Sequence, residues 1–151
     1  MTGPVADSLD LTPDLAAVQQ ALQWLKALAA RDAWPSRLQF GLTLSLDEAL
    51  TNVVSYAFAP RAAGAEPAYV RLEYQRRGDT VQIVMRDNGA AFDPTSIAPP
   101  AEHTTVEAAG IGGHGLQLMR HYLQQLTYAR QDGENRLTMV AAWPRPADAG
   151  L

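Results

Sequence analysis

The stretch Gly110–Trp143, GIGGHGLQLMRHYLQQLTYARQDGENRLTMVAAW, decides the fold. Its glycines fit G-x-G-x-x-G, and Asp132 follows about twenty residues on, as a dinucleotide-binding fold would require. That fingerprint has meaning only between a buried strand and a crossover helix, and the preceding PPAEHTTVEAA makes no such strand. A helix begins at about Gly113 to Gly115 and sets Leu116, Met119, Leu123 and Leu126 on its inner face. The closing TYARQDGENRLTMVAAW then reads as two strands around a turn at Asp132 to Asn135, an antiparallel hairpin and not a crossover to a parallel strand. The doubly wound parallel sheet is therefore set aside.

Two further strands lie upstream, Tyr69 to Arg76 and Thr80 to Arg86, alternating apolar and polar residues around Gly78-Asp79. Before them a helix follows Pro35 and Ser36 and runs to about Phe58, with Leu42, Leu46, Ala49, Leu50, Val53, Val54 and Ala57 on one stripe. An earlier helix is expected from an N-cap at Thr12 with Pro13 in the first helical position, burying Leu15, Val18, Leu22, Leu25 and Leu28 and ending near Asp32. A weak strand precedes it. The order predicts an α+β fold: a two-layer sandwich with helices on one face of a largely antiparallel mixed sheet.

The 151 residues, 47% hydrophobic and 19% charged, suit one domain spanning 1–151. Sixteen acidic against 12 basic side chains give a net charge of -4, which draws the chain toward neither nucleic acid nor an anionic membrane. The absence of cysteine removes disulfides, thiolate metal sites and cysteine nucleophiles. No apolar run is long enough to span a bilayer, and the first residues lack the pattern of a signal peptide. A cytoplasmic protein is expected.

Chemistry concentrates in three places. Glu48, Asn52 and Tyr56 form a line at i, i+4 and i+8 beside the buried stripe of their helix, and asparagine is a poor choice in mid-helix without some use. Asp87-Asn88-Gly89 ends a strand; alone it reads as a turn, or Asp87 accepts from an exocyclic amine while Gly89 lets the backbone approach a flat base. The glycines at 110, 112, 113 and 115 leave bare backbone N–H groups at a helix N-terminus, a place for phosphate or simply a hinge. A Walker-type loop is excluded, since Gly-Lys-Ser/Thr is missing. Residues from Asn88 to about Gly112 hold three prolines and no periodicity, and are expected to form a lid.

Taken together, LSLDEALTNVVSYAF (44–58), RDNGAAFDP (86–94) and the segment from Gly112 to Met139 resemble the three nucleotide-binding boxes of the GHKL (Bergerat-fold) ATPase and kinase superfamily. The resemblance is closest to the anti-sigma-factor serine kinases of the RsbW and SpoIIAB type. It implies that Glu48 is the general base and that Asn52 ligates Mg2+ through its amide oxygen. Asp87 would hold the adenine amine with Gly89 beneath the base, and Gly113 and Gly115 would offer amides to the phosphates of ATP. His114 and Leu116 fall in the same nucleotide-contacting segment, and Thr138 would support the base through water. The chain departs from the family in having no lysine or arginine from Asp87 to Met119. Cationic help would come from elsewhere in the chain, from a partner, or from His103 or His114.

The implied activity is a serine/threonine kinase that is also an anti-sigma factor. Its expected partners are a STAS-domain antagonist, phosphorylated on serine, and a sigma factor or similar target; a homodimer is possible for the type. An autonomous histidine kinase fits poorly, because His103, His114 and His121 all lie in or after the lid. ATP-driven machines place a further domain after this one, and only 11 residues follow Val140. The alternative is a nucleotide-dependent binding module that sequesters its partner without phosphoryl transfer.

Overall fold

The computed structural model describes residues 7–58, 64–96 and 111–144, with side chains throughout except at 111–114. In chain order the elements are β1 (Ser8–Leu11), α1 (Ala17–Arg31), α2 (Ser36–Asn52) continued by a π turn (Val53–Ala57), β2 (Val70–Arg77) and β3 (Thr80–Asp87). A 3-10 turn (Pro94–Ser96), α3 (Ile111–Tyr122), β4 (Gln125–Gln131) and β5 (Glu134–Ala142) follow. The expected α+β order stands. The five strands lie in the order β1-β2-β3-β5-β4, and every pairing among the described residues is antiparallel. The mixed character expected of the sheet is not found there, because β5 lies between β3 and β4, the two strands that run the same way.

The alternation of the strands gives the sheet two unlike faces. Val70 and Leu72 on β2, Val81, Ile83 and Met85 on β3, and Leu137, Met139 and Ala141 on β5 are buried. They face Leu25 and Leu28 of α1 and Leu42, Leu46 and Leu50 of α2, all fully buried, in one core with Met119 of α3. The opposite face carries charged residues: Arg86 pairs with Glu73 at 3.3 Å and with Glu134 at 3.0 Å, and Arg136 meets the same Glu134 at 3.2 Å. Two arginines adjacent across the strands thus share one buried carboxylate, which offsets their mutual repulsion.

The first helix begins later than its sequence suggests. Asp14 folds Thr12–Ala17 into a turn, its carboxylate accepting from the Ala16 amide at 3.0 Å and its carbonyl from the Ala17 amide at 3.1 Å. The helix starts at Ala17, and Leu15 is 95% exposed instead of lying on the inner face. Ala17, Ala21, Trp24, Leu25, Leu28 and Ala29 are the buried set. In the third helix the glycines themselves are helical, since it starts at Ile111, and Leu126 belongs to β4.

The second helix follows its predicted course to the end, with one change of winding. Its last turn, Val53–Ala57, is a π turn, which holds one residue more than an α turn would. Ala57 is its last residue, so its carbonyl has no donor within the helix and accepts from the Ala90 amide at 2.8 Å. The α2 terminus is thereby tied to the loop after β3.

Candidate nucleotide site

The expected site residues fall in two groups, one along α2 and one at its far end. Glu48 and Asn52 are one helical turn apart, and the Asn52 amide nitrogen donates to Glu48 Oε1 at 3.2 Å. That bond fixes the amide so that its oxygen is the atom left to face a cation. Asn52 is buried and Glu48 half-buried. Burial raises the Glu48 pKa above its ordinary value of 4.5, against the pull of the Asn52 hydrogen bond. The third helix closes over this pair at Gly115, where any β-carbon would stand 2.0 Å from the Glu48 carboxyl. A side chain at 115 would therefore have to push the Glu48 carboxyl aside.

From Glu48 to Ala57 is nine residues, roughly 13 Å along the helix. At that far end the Asp87 loop docks. A β-carbon at Gly89 would lie 2.7 Å from the Ala57 carbonyl oxygen, so the bare glycine makes room for α2 and not, on that side, for a base. Tyr56, exposed on the π turn, stacks on Phe92 with ring centroids 5.8 Å apart. Arg130 of β4 donates to the Gly89 carbonyl at 2.8 Å, and Arg120 of α3 to the Thr95 carbonyl at 3.2 Å. Cations missing from 87–119 therefore reach this loop from the elements that follow it.

Asp87 is 1% exposed. Its Oδ1 accepts from the Gly89 amide and from the Asn135 side-chain amide, both at 2.9 Å. Its Oδ2 is fully buried with no hydrogen-bond partner among the described residues. Burial drives the Asp87 pKa up from the ordinary 3.8, opposed by those two hydrogen bonds and by the charge of Arg130. Such an orphan acceptor is costly, and it fits an N–H donor supplied from outside the chain.

Some expected members of the site stand elsewhere. Thr138 alternates out of phase with buried Leu137 and Met139 and pairs with Val84 and Thr127 on the charged face, across the sheet from Asp87. It cannot support a base held at Asp87; Asn135, which pairs with Asp87 across β3 and β5, is the β5 residue on the correct face. Gly115 is the fifth residue of its helix, so its amide has the Ile111 carbonyl as partner, and the helical amides left free by helix geometry are those of 111–113. Gly113 is thus at the helix N-terminus as expected, while Gly115 meets Glu48. Leu116 is buried. The side chain of His114, His103 and most of the expected lid lie outside the described residues. Asn135 gave no motif signal, because D-G-E-N reads locally as a turn.

Among the described residues no three His, Cys, Asp or Glu side chains gather as a metal site, and no helix is long and apolar enough to cross a membrane. A hard cation that keeps its waters and binds phosphate needs only one or two protein oxygens, so the Asn52 amide oxygen beside Glu48 is a compatible donor set for magnesium.

A helix-over-antiparallel-sheet layer with a buried, half-paired aspartate and a Glu-Asn pair on the central helix defines a class of nucleotide-binding domain. The profile of the histidine kinase-like ATPase domain matches residues 11–141. The chain is 43% identical over 135 residues to the serine/threonine-protein kinase BtrW of Bordetella bronchiseptica, covering 89% of this chain and 92% of that one. It is 27% identical over 113 residues to the serine-protein kinase RsbW of Listeria innocua, covering 72% and 69%. The crystal structure of the RsbU and RsbW domains of Rv1364c from Mycobacterium tuberculosis has the same fold, with a TM-score of 0.59 at 14% identity; the match covers 93% of this chain and 34% of that longer one. The chain belongs to the histidine kinase-like ATPase family, and within it to the anti-sigma-factor serine kinases of GHKL type. It is an ATP-dependent protein serine/threonine kinase.

Proposed function

We propose that this kinase uses Mg-ATP to phosphorylate a serine of a STAS-domain antagonist and, when that antagonist is absent, sequesters a sigma factor or similar target, acting as a homodimer. The observation that carries the nucleotide reading is the buried Oδ2 of Asp87, unpartnered among the described residues and an acceptor suited to the adenine 6-amino group. The free amides at the start of α3, Gly113 included, receive the phosphates. Asn52 holds magnesium through its amide oxygen, and the cation when bound neutralises charge on the phosphates. Glu48 is the base: the serine oxygen attacks the terminal phosphorus, its proton passes to Glu48, and the bond to ADP breaks as ADP leaves. A carboxylate with a raised pKa is suited to taking that proton.

Phosphorylation adds about 1.5 to 2 negative charges to the antagonist, which disfavours its return to the same surface and frees the kinase for its other partner. Incubation with labelled ATP, magnesium and a cognate STAS protein tests the reading. Label should appear on serine with the native chain and vanish in Glu48→Gln, with ATP binding kept. A native chain that binds ATP but transfers no label would instead be a nucleotide-dependent sequestering module, the reading favoured by the lack of basic residues from Asp87 to Met119.

A further inference from the structure

Asn135 sits at the start of β5, 3% exposed, and makes four hydrogen bonds. Its amide nitrogen donates to Asp87 Oδ1 at 2.9 Å and to the Ala90 carbonyl at 2.8 Å. Its amide oxygen accepts from the Phe92 backbone amide at 3.2 Å and from the Tyr128 hydroxyl at 2.6 Å. Both N–H donors and both oxygen lone pairs are engaged. The orientation is fixed by chemistry: the Phe92 amide can only donate, whereas the Ala90 carbonyl can only accept. A flipped amide would break both contacts.

We infer that Asn135 is a positioning residue for base recognition, holding Asp87 by one oxygen and anchoring the root of the following loop so that Oδ2 alone is presented to the nucleotide. The inference rests on the adenine role given to Asp87. Among the described residues two donors, from Gly89 and Asn135, converge on Oδ1 and none on Oδ2. Without Asn135 the carboxylate keeps a single tether and can turn about its terminal bond, which blurs the difference between its two oxygens. The Ala90 and Phe92 contacts extend the effect, since the same side chain sets the path of the loop beside the orphan oxygen. Serine, threonine or leucine cannot replace two donors and two acceptors in one plane, and glutamine is one methylene too long for the space.

The test compares ATP with inosine triphosphate, which carries a carbonyl where adenine has its 6-amino group. The native chain should prefer ATP by about tenfold or more. Asn135→Ala should bring the two affinities within about twofold, with the far-UV spectrum of the native fold. Asn135→Asp keeps the shape but faces two carboxylates across one contact, so it should bind ATP poorly at pH 8 and recover as acid supplies a shared proton. A purely structural residue would lose both nucleotides equally and show no recovery at acid pH. If the native chain itself shows no preference for ATP, the role of Asp87 is wrong. If the native preference exists and either survives undiminished in both variants or is lost without acid recovery in Asn135→Asp, the inference about Asn135 is overturned. Should Asn135→Ala fail to fold, the pH profile of Asn135→Asp decides.

Discussion

Replacing Asp87 by asparagine should separate stability from nucleotide recognition, because one oxygen of this buried carboxylate has no partner among the described residues. The new side chain can keep its oxygen toward the Gly89 and Asn135 donors, placing its NH2 where Oδ2 stood. An acceptor then becomes a donor. ATP, which needs the acceptor, should bind more weakly by the 1 to 3 kcal/mol typical of an unmade buried hydrogen bond, roughly 5- to 150-fold. Inosine triphosphate should gain on ATP, since its carbonyl now meets an N–H.

Stability should move the other way. Burial raises the Asp87 pKa above 3.8, so the folded chain holds this proton more tightly than the unfolded one. The carboxyl costs nothing extra below about pH 4, where both states are protonated, and its penalty grows as pH climbs through the raised folded value. At pH 7 the substitution should therefore stabilise by about 1 kcal/mol, raising Tm by roughly 2 to 4 °C for a chain of this size. The gain should fade below about pH 4. Titration calorimetry with both nucleotides and melting curves at two pH values give the answer. Equal weakening of the two nucleotides, or a lower Tm at pH 7, would refute the reasoning.

Three other outcomes are expected. Phosphoryl transfer should rise with pH along a limb set by Glu48, centred above the ordinary 4.5 because burial favours its neutral form, and Glu48→Gln should abolish the limb while lowering kcat by about 100- to 10,000-fold; a rate flat from pH 5 to 8 contradicts this. Gly115→Ala drives a methyl into the Glu48 carboxyl, so kcat should fall about 100-fold with ATP affinity nearly kept, and unchanged turnover would remove Glu48 from the reaction. Asn52→Ala should lose the magnesium dependence of ATP binding, and calorimetry with an unaltered magnesium requirement would count against its ligand role.

What was legible in the sequence followed from local period and turn chemistry. The β2-β3 hairpin, the buried stripe of α2 and the closing hairpin all obey simple patterns, and each is found close to where those patterns place it. Thr12-Pro13 carries good helix-start residues, yet Asp14 forms its own turn first, so propensity lost to a side-chain hydrogen bond two residues on. Thr138 was misplaced by a single step of strand parity, which composition near a hairpin turn does not resolve. Glu48, Asn52 and Asp87 stood out because their chemistry is unusual for their positions. Asn135 did not, since all its meaning comes from partners such as Asp87, 48 residues away.

The π turn at Val53–Ala57 has a consequence for how this chain can change length. Because the turn already holds one residue more than α winding needs, deleting one there would let the helix relax to ordinary α winding with the following residues near their present angular place, whereas inserting one would swing the carbonyl now supplied by Ala57 by about 100°, away from the Ala90 amide. Side-chain replacements on the turn, or the loss of one residue, leave that contact within reach, whereas a gain of one would detach the loop that carries Asp87 from the end of α2. Among relatives, this segment should therefore tolerate being one residue shorter more readily than one residue longer.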